Sequence, residues 1–106
     1  MNHSYNFATI NTNNITNNTK INALNAFIRS TDSDIVFMQE VADRNMTVPG
    51  YNIITNVDAA RRGTAIALKQ HIKFSNVERS LDSRILAVRL NDSITLCNVY
   101  APSGSQ

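Results

Sequence analysis

The chain has 106 residues, 42% of them hydrophobic, with three Gly and two Pro; this suits one modest globular domain and excludes an intrinsically disordered segment. Its formal net charge of +2 is compatible with nucleic acid without demanding it. A single cysteine, Cys97, excludes an internal disulfide and fits a reducing, intracellular compartment.

No apolar run reaches the roughly 18 residues of a membrane span, and Met1 to Ser4 lack the basic charge and apolar core of a secretory signal. Asparagine is dense from Asn2 to Asn25. The triplets Asn14-Ile15-Thr16 and Asn45-Met46-Thr47 follow from such enrichment, and without a secretory signal they read as chance matches to a glycosylation pattern.

In chain order, Asn6 to Asn11 (N-F-A-T-I-N) suits a first strand. Thr12 to Asn18 reads as a loop, because Asn side chains compete for backbone hydrogen bonds and tolerate turns. Asn18 or Thr19 can cap the helix that follows. Its apolar stripe is Ile21, Leu24, Phe27 and Ile28, set against Lys20, Asn25 and Arg29. Ser30 to Ser33 break it. Asp34 then opens D-I-V-F-M-Q-E-V, whose continuous apolar character predicts a strand buried on both faces. Strand, helix and strand at this spacing form a parallel crossover.

Asp43 to Gly50 is loop, Tyr51 to Thr55 a short strand, and Asn56 to Arg62 a polar loop. Gly63 introduces a strand over Thr64 to Lys69, and a weaker one is expected around Ile72 to Val77. Ile85 to Leu90 and Ser93 to Val99 alternate around Asn91-Asp92, a pair suited to the left-handed conformations of a tight hairpin. Cys97, within I-T-L-C-N-V-Y, reads as a core thiol. The fold class is therefore α/β (α+β), a mixed β-sheet with a flanking helix.

Chemistry-bearing residues gather where strands meet loops. A strand ending on Gln39-Glu40 poses a choice: a buried carboxylate needs a partner or a metal, or else Glu40 marks where the strand surfaces. In open α/β sheets ligands collect at the carboxyl ends of strands, and the crossover puts Asn11 and Glu40 at one edge. Asn11, Thr12, Asn13 and Asn14 follow the first strand, and an Asn amide can ligate a hard cation or bond a phosphate. At the end of the last strand, Pro102 stops the ladder and leaves the Tyr100 phenol near the rim. A loop turn and a core tyrosine are the plain alternatives for the first and last of these stretches. Arg44, Arg61 and Arg62 stand in loops and are candidates to face nucleic-acid phosphates, with solvated surface as the ordinary reading. His3 and His71 read as ordinary surface histidines.

Taken in order, A-T-I-N-T-N-N-I (Ala8 to Ile15), D-I-V-F-M-Q-E (Asp34 to Glu40), G-T-A-I-A-L-K (Gly63 to Lys69) and N-V-Y-A-P (Asn98 to Pro102) resemble the endonuclease/exonuclease/phosphatase superfamily. Asn14 stands where that family usually has Gly. The third and fourth stretches look most like the endonuclease domains of LINE-type (non-LTR) retrotransposons. The resemblance implies a four-layer α/β sandwich, of which residues 1–106 correspond to the amino-terminal half.

It further implies Glu40 as a carboxylate ligand of a catalytic Mg2+, with Mn2+ as the alternative ion. Asn11 helps hold metal or phosphate, and Tyr100 contacts the scissile phosphate. Asn13, Asp34 and Gln39 occupy supporting positions. DNA is the implied substrate and the nucleus the implied location for a retroelement enzyme. A phospholipid or RNA substrate, or a noncatalytic remnant, are the alternatives. The family places a D-x-N and an S-D-H signature after the tyrosine, whereas only Ala101 to Gln106 follow Tyr100. The expectation is therefore a partial site with little activity alone. A missing partner sheet is further expected to leave one sheet face bare, with marginal stability or self-association.

Overall fold

The amino-terminal crossover forms as the hydrophobic pattern requires. In a computed structural model describing residues 4–91 and 93–101, β1 (Phe7–Asn11), α1 (Asn18–Thr31) and β2 (Ile35–Gln39) bring β1 and β2 side by side in parallel. The register pairs Phe7 with Ile35 and Asn11 with Gln39. Then follow β3 (Tyr51–Val57), β4 (Gly63–Lys69), β5 (Phe74–Arg79), β6 (Ile85–Leu90) and β7 (Thr95–Val99). The strands make a mixed sheet in the order β1-β2-β4-β3 and an antiparallel sheet in the order β5-β6-β7.

The two sheets pack through Ile35, Ile54, Ile66 and Leu68 of the first against Leu86, Val88, Leu90 and Leu96 of the second. On the opposite face of the mixed sheet, Ile28 and Leu24 of α1 meet Val36, Met38, Ala65 and Ala67. β2 and β4 are thus covered on both faces, which explains their unbroken apolar sequences. The result is a helix, a mixed sheet and a second sheet in three layers. Among the described residues no helix is long and apolar enough to cross a membrane.

The structure corrects the expected bare sheet in extent. The second sheet lies over β4 and reaches β3, while Phe7 on edge strand β1 stays 57% exposed and stacks on Phe37 at 6.1 Å, and Ile85 and Val99 are exposed on the outer face of the second sheet. The helix cap is Asn17, one residue earlier than expected, its side chain accepting from the Thr19 and Lys20 N–H groups. Phe27 leaves the predicted stripe and is exposed, while Ile28 is buried.

β3 runs two residues further than predicted, because Asn56 is buried and bonded rather than solvated. β5 starts at Phe74, later than expected, and carries a register shift between Phe74 and Asn76. In the β6–β7 turn Ser93 takes a left-handed conformation, with φ 73°. Cys97 is exposed, not a core thiol: Leu96 and Asn98 point inward and the residue between them points out. Pro102, His3 and Asp92 lie outside the described residues.

Candidate active site at the carboxyl end of the parallel strands

The loop leaving β1 and the residue leaving β2 are tied to each other by backbone and hydroxyl bonds. Thr12 N–H donates to the Gln39 carbonyl at 2.9 Å, and Asn14 N–H to the Glu40 carbonyl at 2.7 Å. The buried Thr12 hydroxyl donates to the same Glu40 carbonyl at 2.7 Å. Asn13 and Asn14 have φ of 59° and 54°. Asn is the non-glycine residue that tolerates this conformation best, so Asn14 can stand where a glycine would otherwise serve.

Glu40 is also left-handed, with φ 55°, a conformation that costs a residue bearing a Cβ about 1–2 kcal/mol. Held strain of this kind concentrates at functional sites. Here it turns the carboxylate off the end of β2 towards β1 and Tyr100. Asn11 Nδ2 donates to Glu40 Oε2 at 2.8 Å, and Tyr100 Oη donates to the same oxygen at 3.0 Å. The hydrogen bond to Glu40 is the main cause that raises the Tyr100 phenol above its ordinary value, with desolvation adding to it. The phenol is therefore a neutral donor across the physiological range. Asn11 Oδ1 in turn accepts from Asn13 N–H at 2.9 Å.

Glu40 Oε1 takes no hydrogen bond among the described residues, and Asn11 Oδ1 keeps one lone pair. Two such oxygens suit a hard cation that takes few protein ligands and retains most of its water. Among the described residues no cluster of three or more His, Cys, Asp or Glu is present, so the remaining ligands of such an ion would be water or substrate.

Behind this edge, Asn98 crosses between the sheets. Its buried amide donates to the Met38 carbonyl at 3.0 Å and the Ala65 carbonyl at 2.9 Å, and its oxygen accepts from Gln39 Nε2 at 3.2 Å. Gln39 also reaches Thr9 Oγ1 at 3.1 Å. Gly63 closes the floor. A Cβ there would come within 1.9 Å of the Asn56 carbonyl oxygen, so the β3–β4 pair can approach this closely only without one.

Glu40, Tyr100, Asn14 and Gly63 line a cavity of about 220 Å³, together with Asp58, Arg62, Asp82, Ser83 and Arg84. Arg62 is held by Asp58 at 3.7 Å. Arg44 and Arg61 are exposed and do not line this cavity. Asp34 lies at the other end of β2, where it accepts from Asn6 N–H at 2.8 Å and neighbours Lys69 at 3.7 Å. Sequence reasoning brought Asn11, Glu40 and Tyr100 to one edge, and the structure joins them. It named Thr12 only within the loop after β1, and it missed Asp58, Asp82, Ser83 and Arg84. The polar turn S-L-D-S-R (Ser80 to Arg84) was the available signal for the last three.

No family model matches the chain, and no curated protein matches it. Among solved structures it is similar to an AP endonuclease from Archaeoglobus fulgidus, with a TM-score of 0.72 and 23% identity over 93% of this chain and 42% of that one. It is likewise similar to truncated TDP2 from Caenorhabditis elegans, with a TM-score of 0.73 and 20% identity over 94% of this chain and 47% of that one. The chain thus shares its fold with part of these two structures. The chain spans less than half the length of these structures.

Proposed function

We propose that the chain is the amino-terminal part of a Mg2+-dependent phosphodiesterase that nicks DNA, of the type found in LINE-type retrotransposons. The observation that carries the reading is the Glu40 carboxylate, which receives two neutral donors on one oxygen and leaves the other free beside a cavity. Similarity to an AP endonuclease fold favours a DNA phosphodiester as substrate. The pairing of G-T-A-I-A-L-K with N-V-Y-A-P-S favours the retrotransposon branch.

In this reading Glu40 Oε1 and Asn11 Oδ1 would hold the ion, whose chemistry when bound is Lewis-acid stabilisation of charge on phosphate oxygens. The residues present do the rest. Asn11 and Tyr100 fix the orientation of Glu40; the single phenol proton of Tyr100 is donated to Glu40 Oε2, and it would reach a phosphate oxygen only by turning away from that carboxylate. Thr12 and Asn14 hold the backbone of Glu40 in its strained conformation. Activation of the attacking water belongs to motifs beyond Tyr100, so the 106-residue chain is expected to nick supercoiled DNA weakly or not at all.

The test is a Mg2+ titration watched by NMR at the Glu40 carboxylate and the Asn11 side-chain amide. A saturable shift at millimolar Mg2+, lost in Glu40→Gln, is expected. A wild-type chain whose Glu40 ignores Mg2+ would remove the basis of the proposal. Vigorous nicking by the chain alone would show that no later motif is needed.

A further inference from the structure

The cavity beside Glu40 holds several charged groups, and most are already engaged. Glu40 is bonded by Asn11 and Tyr100, and Arg62 is paired with Asp58. Asp82 accepts from the Ser80 hydroxyl at 2.7 Å and from Arg84 N–H at 3.2 Å. The first of these bonds chiefly holds its carboxyl below the usual value. Arg84 is different: its charge is felt by Asp82, but among the described residues its guanidinium enters no ion pair.

We infer that Arg84 is the phosphate-gripping residue of this site, its guanidinium binding the nonbridging oxygens of a phosphodiester placed between it and Glu40. The inference rests on the phosphodiesterase reading and adds to it a residue outside every motif that suggested that reading.

The turn that carries Arg84 is built to a degree that a hairpin connection does not require. Ser80 N–H donates to the Ile85 carbonyl at 3.0 Å, and Ile85 N–H donates to the Ser80 hydroxyl at 2.9 Å. The buried Asn56 amide, reaching across from β3, donates to the carbonyls of both Ser80 and Ile85 at 3.1 and 2.9 Å. Ser83 sits inside this frame, 5% exposed and left-handed at φ 63°. Such a conformation costs a non-glycine residue about 1–2 kcal/mol, and it persists only where the surroundings over-determine it.

This frame sets the position from which Arg84 departs. The Arg84 carbonyl accepts Tyr100 N–H at 2.8 Å, continuing the β6–β7 ladder, which pairs Ile85 with Val99. Arg84 and Tyr100 therefore stand side by side at the mouth of one cavity. The guanidinium charge is felt by the Tyr100 phenol, which it pulls down against the larger upward pull of Glu40.

A phosphodiester carries one negative charge and two nonbridging oxygens. Glu40 alone would repel it, so a cation on the far side of the phosphate is what the site's electrostatics call for. Guanidinium meets two oxygens with parallel N–H donors, stays charged at every working pH and loses less hydration than an ammonium. A lysine at this position would offer a point charge without the fork.

The experiment titrates dimethyl phosphate, the smallest phosphodiester, into the chain with Mg2+ present, following the arginine Nε–Hε signals by NMR. The Arg84 signal is expected to move saturably. Arg84→Gln should weaken binding by about tenfold or more, the loss anticipated for a charge-assisted hydrogen bond, and Arg84→Lys should recover part of it. Arg89→Gln, which removes the same charge from the exposed outer face of β6, should bind as the wild type does. Equal melting temperatures for the two Arg84 variants would show that the turn is intact, since its bonds use the backbone of residue 84. Wild-type affinity in Arg84→Gln, or an Arg84 signal that dimethyl phosphate leaves unmoved, overturns the inference. The Glu40→Gln Mg2+ response is measured separately, so the metal reading and the Arg84 assignment fail independently.

Discussion

Strand β2 is bracketed by two carboxylates, Asp34 before it and Glu40 after it, about 20 Å apart along an extended chain. The two ends resolve their charge in opposite ways. At the Asp34 end, Lys69 Nζ lies 2.6 Å from Asp32 and 3.7 Å from Asp34. Asn6 N–H fills the other oxygen of Asp34, and the Tyr51 phenol donates to the Ser33 carbonyl at 2.6 Å. Every carboxylate there has a cation beside it.

At the Glu40 end the partners are an amide and a phenol, which satisfy hydrogen bonding and leave the charge uncompensated. The backbone differs in the same sense, since Glu40 is left-handed and Asp34 is not. A carboxylate that brings its own counter-ion is closed and structural. One stabilised only by neutral donors keeps its capacity to hold a cation.

The largest expected effect concerns what fixes the open end in place. Asn98→Leu leaves the Met38 and Ala65 carbonyls and the Gln39 amide without their buried partner. Two or three such losses should total roughly 2–4 kcal/mol. The check is the urea midpoint at unchanged slope. A loss of only a few tenths would mean that apolar packing alone sets the two sheets.

At the closed end, Tyr51→Phe removes a buried phenol–carbonyl bond and should cost about 1–2 kcal/mol. It should also blunt the alkaline transition. Burial raises the Tyr51 phenol above 10.0, so its protonated form is favoured in the folded state. That contribution is whole below pH 10.0 and is lost as pH rises through the folded value. Lys69, raised chiefly by its bond to Asp32, acts in the same direction. Wild-type stability should therefore fall more steeply above pH 10.0 than that of Tyr51→Phe, and parallel curves would assign the transition to other groups. Lys69→Met should lower the melting temperature by less than Tyr51→Phe does, because its main partner, Asp32, is almost fully solvated.

Much of this contrast was legible in the sequence, and what was not has physical causes. β2 was plain because burial on both faces demands an unbroken apolar run. The meeting of Asn11 with Glu40 followed from the parallel crossover alone. The helix cap slipped by one residue because Asn17, Asn18 and Thr19 can all cap. Asn56 was read as loop because a polar side chain inside a strand end looks solvated, when it is in fact a buried strut for the Ser80–Ile85 turn. Cys97 was read as core because it stands in the apolar run I-T-L-C-N-V-Y, whereas the strand's period of two gives the inward position to polar Asn98 beside it. Arg84 was passed over for a different reason. Its polar turn and the hairpin that follows were both legible, but the turn alone does not say that pairing Ile85 with Val99 sets Arg84 beside Tyr100.

The smallest expected change in stability tests the contrast most directly. Glu40→Gly removes two hydrogen bonds at a solvent-facing edge, together worth roughly 1–2 kcal/mol net, and it adds the conformational freedom of glycine, about 0.5–1 kcal/mol. Against these it releases a left-handed strain of about 1–2 kcal/mol and an uncompensated charge. The terms nearly cancel, so the melting temperature should stay close to that of the wild type while the Mg2+ response disappears. Asp34→Gly carries no such relief, since Asp34 has negative φ and gives up both its bond from Asn6 and its place beside Lys69. It should melt clearly earlier. If Glu40→Gly were the more destabilised of the two, the Glu40 end would be a structural junction and its strained carboxylate would lose its claim to be held there for a ligand.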